Sequence, residues 1–115
     1  MLRELTQRIE SQVRASDVAA RYGGEEFVIL LPNTAEEAGM QLAERVRNAV
    51  AAAPFELPQG ESVGVTVSIG ISSLVPDPDD KDFKTLGDAL IARADVALYS
   101  AKAAGRDRVV PEAAA

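Results

Sequence analysis

The chain has 115 residues, a length that suits one domain with a single hydrophobic core and excludes a multi-domain machine. Its composition, 47% hydrophobic and 26% charged, is that of a globular chain, and no apolar run approaches the ~18 residues a membrane span needs. Twelve Lys and Arg against eighteen Asp and Glu give a net charge of −6, which argues against broad adhesion to DNA, RNA or anionic lipid.

Along the chain, Leu2, Leu5, Ile9 and Val13 recur at helical spacing and predict an amphipathic helix over residues 2–14. Residues 17–22 and 26–31 are two short apolar-rich runs joined through Gly23-Gly24, a hairpin signal that Pro32 closes. Thr34 followed by Glu37 predicts a capping box, and the stripe Leu42, Val46, Val50 a helix running to Pro54. Residues 63–71 alternate Val63, Val65, Val67, Ile69 and Ile71 with smaller or polar residues, the period of a strand with one face in the core. An acidic loop over 76–82, a helix from about Leu86 to Ala103 and a short strand at Arg108–Val110 complete the pattern. The order is that of an α+β fold, with helices packed on a sheet.

The chain has no Cys and no His, which removes thiol nucleophiles, Ser-His triads, disulfides and zinc sites together. Any resident metal is then a hard, oxygen-liganded ion such as Mg²⁺ or Mn²⁺, and a phosphate ligand needs a local cationic site or that ion. Residues 1–15 lack the apolar core of a secretory signal, so the expected compartment is the cytoplasm. In Arg21-Tyr-Gly-Gly-Glu-Glu-Phe27, the glycines permit positive φ and close approach of a ligand, and the adjacent carboxylates offer oxygen ligands to a divalent ion. On those residues alone a solvated hairpin turn is the first reading.

This segment, followed by Val28-Ile-Leu-Leu-Pro32, resembles the signature hairpin of the GGDEF family, the diguanylate cyclases, in its Glu variant. Val65-Thr-Val-Ser-Ile-Gly-Ile71 resembles the family's next core strand, and Arg93–Val109 its last helix and the turn beyond, so three ordered motifs span the chain. The resemblance implies a fold like the palm of nucleotide cyclases and polymerases, residues 1–110 forming the C-terminal two thirds of the domain and 111–115 a flexible tail. It implies condensation of two GTP into cyclic di-GMP and two pyrophosphates, with Mg²⁺ and a homodimer of domains meeting face to face.

Carried over residue by residue, Gly23 and Gly24 match the glycines that let the nucleotide lie on the hairpin. Glu25 matches the metal-binding carboxylate that helps activate the attacking hydroxyl, and Glu26 a second essential acid. Lys102 and Arg106 match a cationic pair for the β- and γ-phosphates, where the residues alone read equally as a solvated helix end. Arg14-Ala-Ser-Asp17 with Arg45 matches the family's inhibitory site for the product, where the residues alone read as a salt bridge. The family's first strand with its metal-binding Asp, and the helix that reads guanine, have no counterpart in residues 1–16. The expectation is therefore weak or absent activity for this chain alone, and self-association through unpaired sheet edges. Two other readings remain: a cyclic di-GMP-sensing module, and an inactive oligomerising fragment.

Overall fold

The computed structural model describes residues 2–23, 26–79 and 81–112. In chain order they form α1 (Leu2–Glu10), β1 (Val18–Gly23), β2 (Glu26–Leu30), α2 (Glu36–Ala51), β3 (Phe55–Glu56), β4 (Ser62–Val63), β5 (Ile69–Ile71), α3 (Phe83–Ala103) and β6 (Val109–Pro111). The α+β class read from the sequence is the one observed. Three two-stranded ladders carry the strands: β1 with β2 and β3 with β4, both antiparallel, and β5 with β6, parallel. A parallel pair needs a long crossover, which α3 supplies.

Several boundaries differ from the sequence reading for local reasons. The predicted strand over 63–71 keeps ladder partners only at its two ends, in β4 and β5. Between them Val65 and Val67 still pack against the buried cluster of Ile9, Val46, Val50 and Phe55. The alternation therefore recorded burial rather than pairing. The Thr34–Glu37 capping box does not form: α2 begins at Glu36 with Ala35 as its N-cap and no side-chain cap bond. Thr34 is engaged elsewhere, its hydroxyl donating to Pro32 O at 3.0 Å and accepting from Arg14. Helix α3 starts earlier than predicted because Asp82 caps it, accepting from Thr85 N–H at 3.1 Å and from the Thr85 hydroxyl at 2.8 Å. β6 includes Pro111, and Glu112 N–H donates to Ile71 O at 2.8 Å.

Two contacts assemble the layers. At Gly70 in β5, an added Cβ would lie 2.2 Å from both Ala94 O and Leu98 N, so the backbone of α3 rests directly on the strand. Gly39 is a second close approach, where a Cβ would meet Ile71 Cδ1 at 2.8 Å as α2 reaches the same strand. On the other side, Arg8 of α1 donates to Val50 O and Ala53 O, both at 2.7 Å, and to Pro54 O at 3.3 Å. Its guanidinium also pairs with Glu4 at 2.8 Å and lies 3.8 Å from the ring centroid of Phe55, which is wholly buried. One cation thus satisfies one orphan carbonyl at the end of α2 and two carbonyls of the segment after it, complements that end's negative dipole and covers the core's main aromatic.

The radius of gyration is 15.1 Å, with a longest extent of 55 Å, against about 13 Å for an ordinary compact chain of this length. Among the described residues each of the six strands has one edge without a ladder partner, and such edges present unmatched N–H and C=O groups. No helix among the described residues is long and apolar enough to cross a membrane. Replacing Arg8 by Ala removes several charge-assisted bonds to one helix end, and chemical denaturation is expected to show a loss of about 2–4 kcal/mol; an unchanged midpoint would refute the clamp.

Candidate functional site

The hairpin closes with Gly23 opposite Glu26, and a register irregularity falls between Arg21 and Gly23. The extra residue in β1, Tyr22, is 60% exposed beside the tip, and bulges of this kind commonly re-aim side chains near functional sites. Gly23 has no left-handed φ, and nothing lies within 4 Å of where its Cβ would sit. The space, rather than an unusual backbone angle, is what this glycine contributes. Glu26 is exposed at the start of β2. Gly24 and Glu25, named from the sequence for nucleotide contact and metal binding, lie outside the described residues.

The cationic pair sits at the other end of the molecule's longest helix. Lys102 lies in the last turn of α3 and is half-buried, while Arg106 is exposed beyond the helix end. The spacing falls across a helix end, with Lys102 inside α3 and Arg106 three residues past its last residue. Arg106 N–H donates to Ala101 O at 2.9 Å and Gly105 N–H to Lys102 O at 3.3 Å, the bond pattern of a Schellman motif, with Gly105 at φ 123°. Gly105 is needed there because the motif demands a left-handed residue. The turn then continues through Arg106 at φ 65° and Asp107 at φ 45°, and the bond to Ala101 O keeps the Arg106 backbone at the last turn of α3.

At the entrance to β1, the Arg14 and Asp17 side chains close on each other. Arg14 Nη2 is 3.1 Å from Asp17 Oδ1 and Arg14 Nε 3.3 Å from Oδ2, while Arg14 N–H donates to Oδ2 at 2.8 Å and Asp17 N–H returns to Arg14 O at 3.0 Å. The same guanidinium donates to Pro32 O at 3.3 Å and to the Thr34 hydroxyl, tying the start of β1 to the end of β2. The Asp17 side chain is fully covered, whereas that of Arg14 is 55% exposed. Hydrogen bonds from Arg14 hold the Asp17 carboxyl below its ordinary value, against the opposing effect of burial. A shallow groove of about 430 Å³ runs alongside, lined by Glu10, Val13, Arg14, Asp17 and Val18. Arg45 is exposed on α2, and no described hydrogen bond or ion pair joins it to Arg14 or Asp17. The structure thus brings together two of the three residues of the expected inhibitory site.

Sequence reasoning missed Arg47. From α2 it bonds Glu44 at 2.8 Å and, with its other terminal nitrogen, Asp107 at 2.8 Å in the turn after α3. Its i, i+3 partner was readable in the sequence; the partner 60 residues away was not. Among the described residues no group of three or more acidic side chains could cage a metal ion. Mg²⁺ is typically held by one or two carboxylates together with substrate phosphates, so a donor set of carboxylates without His or Cys still fits it.

Comparison with known proteins places these features in a wider frame. The model of the family described as "Diguanylate cyclase, GGDEF domain" matches residues 1–108. The chain is 44% identical to the response regulator PleD of Caulobacter vibrioides over 115 residues, covering 99% of this chain and 24% of that protein. It is 45% identical to the diguanylate cyclase DgcP of Pseudomonas aeruginosa over 109 residues, covering 95% of this chain and 15% of that protein. The chain therefore spans a quarter or less of these relatives. Among solved structures, the GGDEF domain of DgcB from Caulobacter crescentus in complex with c-di-GMP superposes with a TM-score of 0.81 at 30% identity, over 96% of this chain and 61% of that one. The active GGEEF domain of a Vibrio cholerae diguanylate cyclase gives 0.77 at 34%, over 99% and 67%.

Because the folded-state pKa of Asp17 is lowered, the unfolded chain binds more protons in acid, and the pair's contribution is present above the unfolded value and lost as pH falls through the folded one. Thermal unfolding followed from pH 7 downward should show a stability loss below about 3.8 that Asp17→Asn flattens; a parallel acid profile in the variant would exclude the pair as its source.

Proposed function

The chain belongs to the GGDEF diguanylate cyclase family, and from that premise we propose that residues 1–110 form part of a domain that condenses two GTP molecules into cyclic di-GMP. The observation that carries this reading is the family match over residues 1–108 together with the hairpin that closes at Gly23 and Glu26. In each half-reaction the 3′-oxygen of one GTP forms a bond to the α-phosphorus of the other, the bond from that phosphorus to the bridging oxygen breaks, and pyrophosphate leaves. The hydroxyl proton passes to a carboxylate of the hairpin, Glu25 by its place in the motif, with Glu26 as the second acid. Open space at Gly23 allows the phosphates to approach the backbone. Lys102 and Arg106, set at the end of α3, meet the charge of the β- and γ-phosphates that a chain of net charge −6 otherwise repels. Glu25 would hold Mg²⁺ or Mn²⁺, which when bound supplies positive charge against the phosphates.

Two copies, each holding one GTP, are needed for the two linkages, so the working form is a homodimer. Arg14 and Asp17, with Arg45, form the site for the product: a guanidinium fork suits a phosphate or guanine edge, and a carboxylate accepts guanine N–H groups. The apolar cleft between α1 and the hairpin, lined by Leu2, Ile9, Ala20, Arg21 and Phe27, measures about 130 Å³, below the roughly 300 Å³ at which ligand pockets begin.

Incubation with GTP and Mg²⁺, read by chromatography, is expected to give slow cyclic di-GMP formation that Glu25→Ala lowers by about 10²–10⁴-fold. Turnover indifferent to Glu25→Ala would overturn the assignment. Calorimetry with cyclic di-GMP should show binding that Arg14→Ala with Asp17→Ala removes, and binding that survives the double change would exclude that site.

A further inference from the structure

The turn after α3 is held from two directions, and neither hold is explained by the helix end itself. Its Schellman bonds account for Gly105 but leave Arg106 and Asp107 both at positive φ, a conformation that costs a residue with a side chain of order 1–2 kcal/mol. Asp107 N–H donates to Ser68 Oγ at 3.2 Å, anchoring the turn to the segment before β5. The Asp107 carboxylate accepts from Arg47 Nη1 at 2.8 Å, anchoring it to α2. Glu44 takes the other arm of the same guanidinium through Nε at 3.2 Å and Nη2 at 2.8 Å, so Arg47 reaches Asp107 from a fork already fixed on its own helix. Arg47 is only 23% exposed, and its hydrogen bonds hold the Glu44 carboxyl below its ordinary value.

We propose that Arg47 is a positioning residue for the polyphosphate subsite: by gripping Asp107 it holds the left-handed turn in the one conformation that carries Arg106 beside Lys102. The inference rests on the reading of Lys102 and Arg106 as phosphate ligands. Arg47 itself touches no phosphate; its charge is spent on Glu44 and Asp107. A lysine has no fork with which to hold both carboxylates, so the position calls for arginine.

The test is a binding cycle on the full chain with tripolyphosphate and Mg²⁺ as the probe, read by calorimetry, with thermal unfolding followed in parallel. Arg47→Gln is expected to weaken binding by about twofold to 150-fold, the span given by coupling between residues of one network. The same change made in an Arg106→Ala background is expected to add nothing, whereas a merely structural loss would weaken both backgrounds alike and overturn the proposal. Arg47→Lys should recover part of the affinity. Asp107→Asn, which keeps a residue tolerant of positive φ, should reproduce Arg47→Gln and so serves if that variant does not fold. Hydrogen exchange at the Asp107 amide should rise in both. Binding weakened by Arg106→Ala but indifferent to Arg47→Gln and Asp107→Asn would overturn the role of Arg47 and leave the phosphate reading standing. No binding by the parent chain, or binding indifferent to Lys102→Ala and Arg106→Ala, would overturn the phosphate reading and this inference with it.

Discussion

The position of α3 depends on the absence of one side chain. With no Cβ at Gly70, the backbone of the helix lies on β5 at a distance no other residue allows. That contact falls at Ala94 and Leu98, in the middle of a 21-residue helix. Toward its start, Ser72 Oγ donates to Leu90 O at 2.6 Å and Arg93 donates to Ser73 O at 2.7 Å, locking the chain after β5 to the helix flank. Toward its end, the helix delivers Lys102 and the turn that follows, and the chain re-enters beside β5 as β6. A helix displaced by the radius of a methyl group would take the parallel ladder, the turn and the cationic pair with it.

Arginine makes the connections that the short ladders do not. Arg8 closes α1 on the end of α2, Arg14 ties the entrance of β1 to the exit of β2, and Arg47 joins α2 to the turn after α3. Arg93 joins α3 to Glu112 at 3.1 Å. The more exposed of these pairs, such as that of Arg93, contribute little to stability individually. Their value is geometric: each guanidinium engages two or more acceptors in fixed directions, so it sets the orientation of the segments it joins. Acidic side chains outnumber basic ones in the chain, which leaves partners in excess for every such fork.

What the sequence disclosed follows the same division. Burial was legible: the stripe of Leu42, Val46 and Val50 and the alternation of Val63 to Ile71 both mark the core face, because periodicity is a property of neighbours in the chain. Strand pairing within 63–71 was not, since a ladder needs a partner that the pattern does not name. The Thr34 capping box failed because a guanidinium twenty residues away claimed the hydroxyl. Phe55, wholly buried, lies in a two-residue strand too short to show a period. At the candidate site, the hairpin tip and the Arg14–Asp17 pair were readable as motifs with fixed spacing. The bond from Arg47 to Asp107 was not, because it exists only once α2 and α3 share a strand.

The Arg14–Asp17 clamp also determines how its surroundings respond to anything in solution. The carboxylate is an acceptor tethered three residues from the guanidinium, so it acts as a built-in competitor whose effective concentration is unaffected by dilution. A molecule that takes the Nε and Nη2 positions Asp17 now holds must displace this resident partner first, and its apparent affinity is reduced by the fraction of time the pair stays closed. The clamp thereby sets a concentration threshold written into the chain itself, independent of how much of the protein is present.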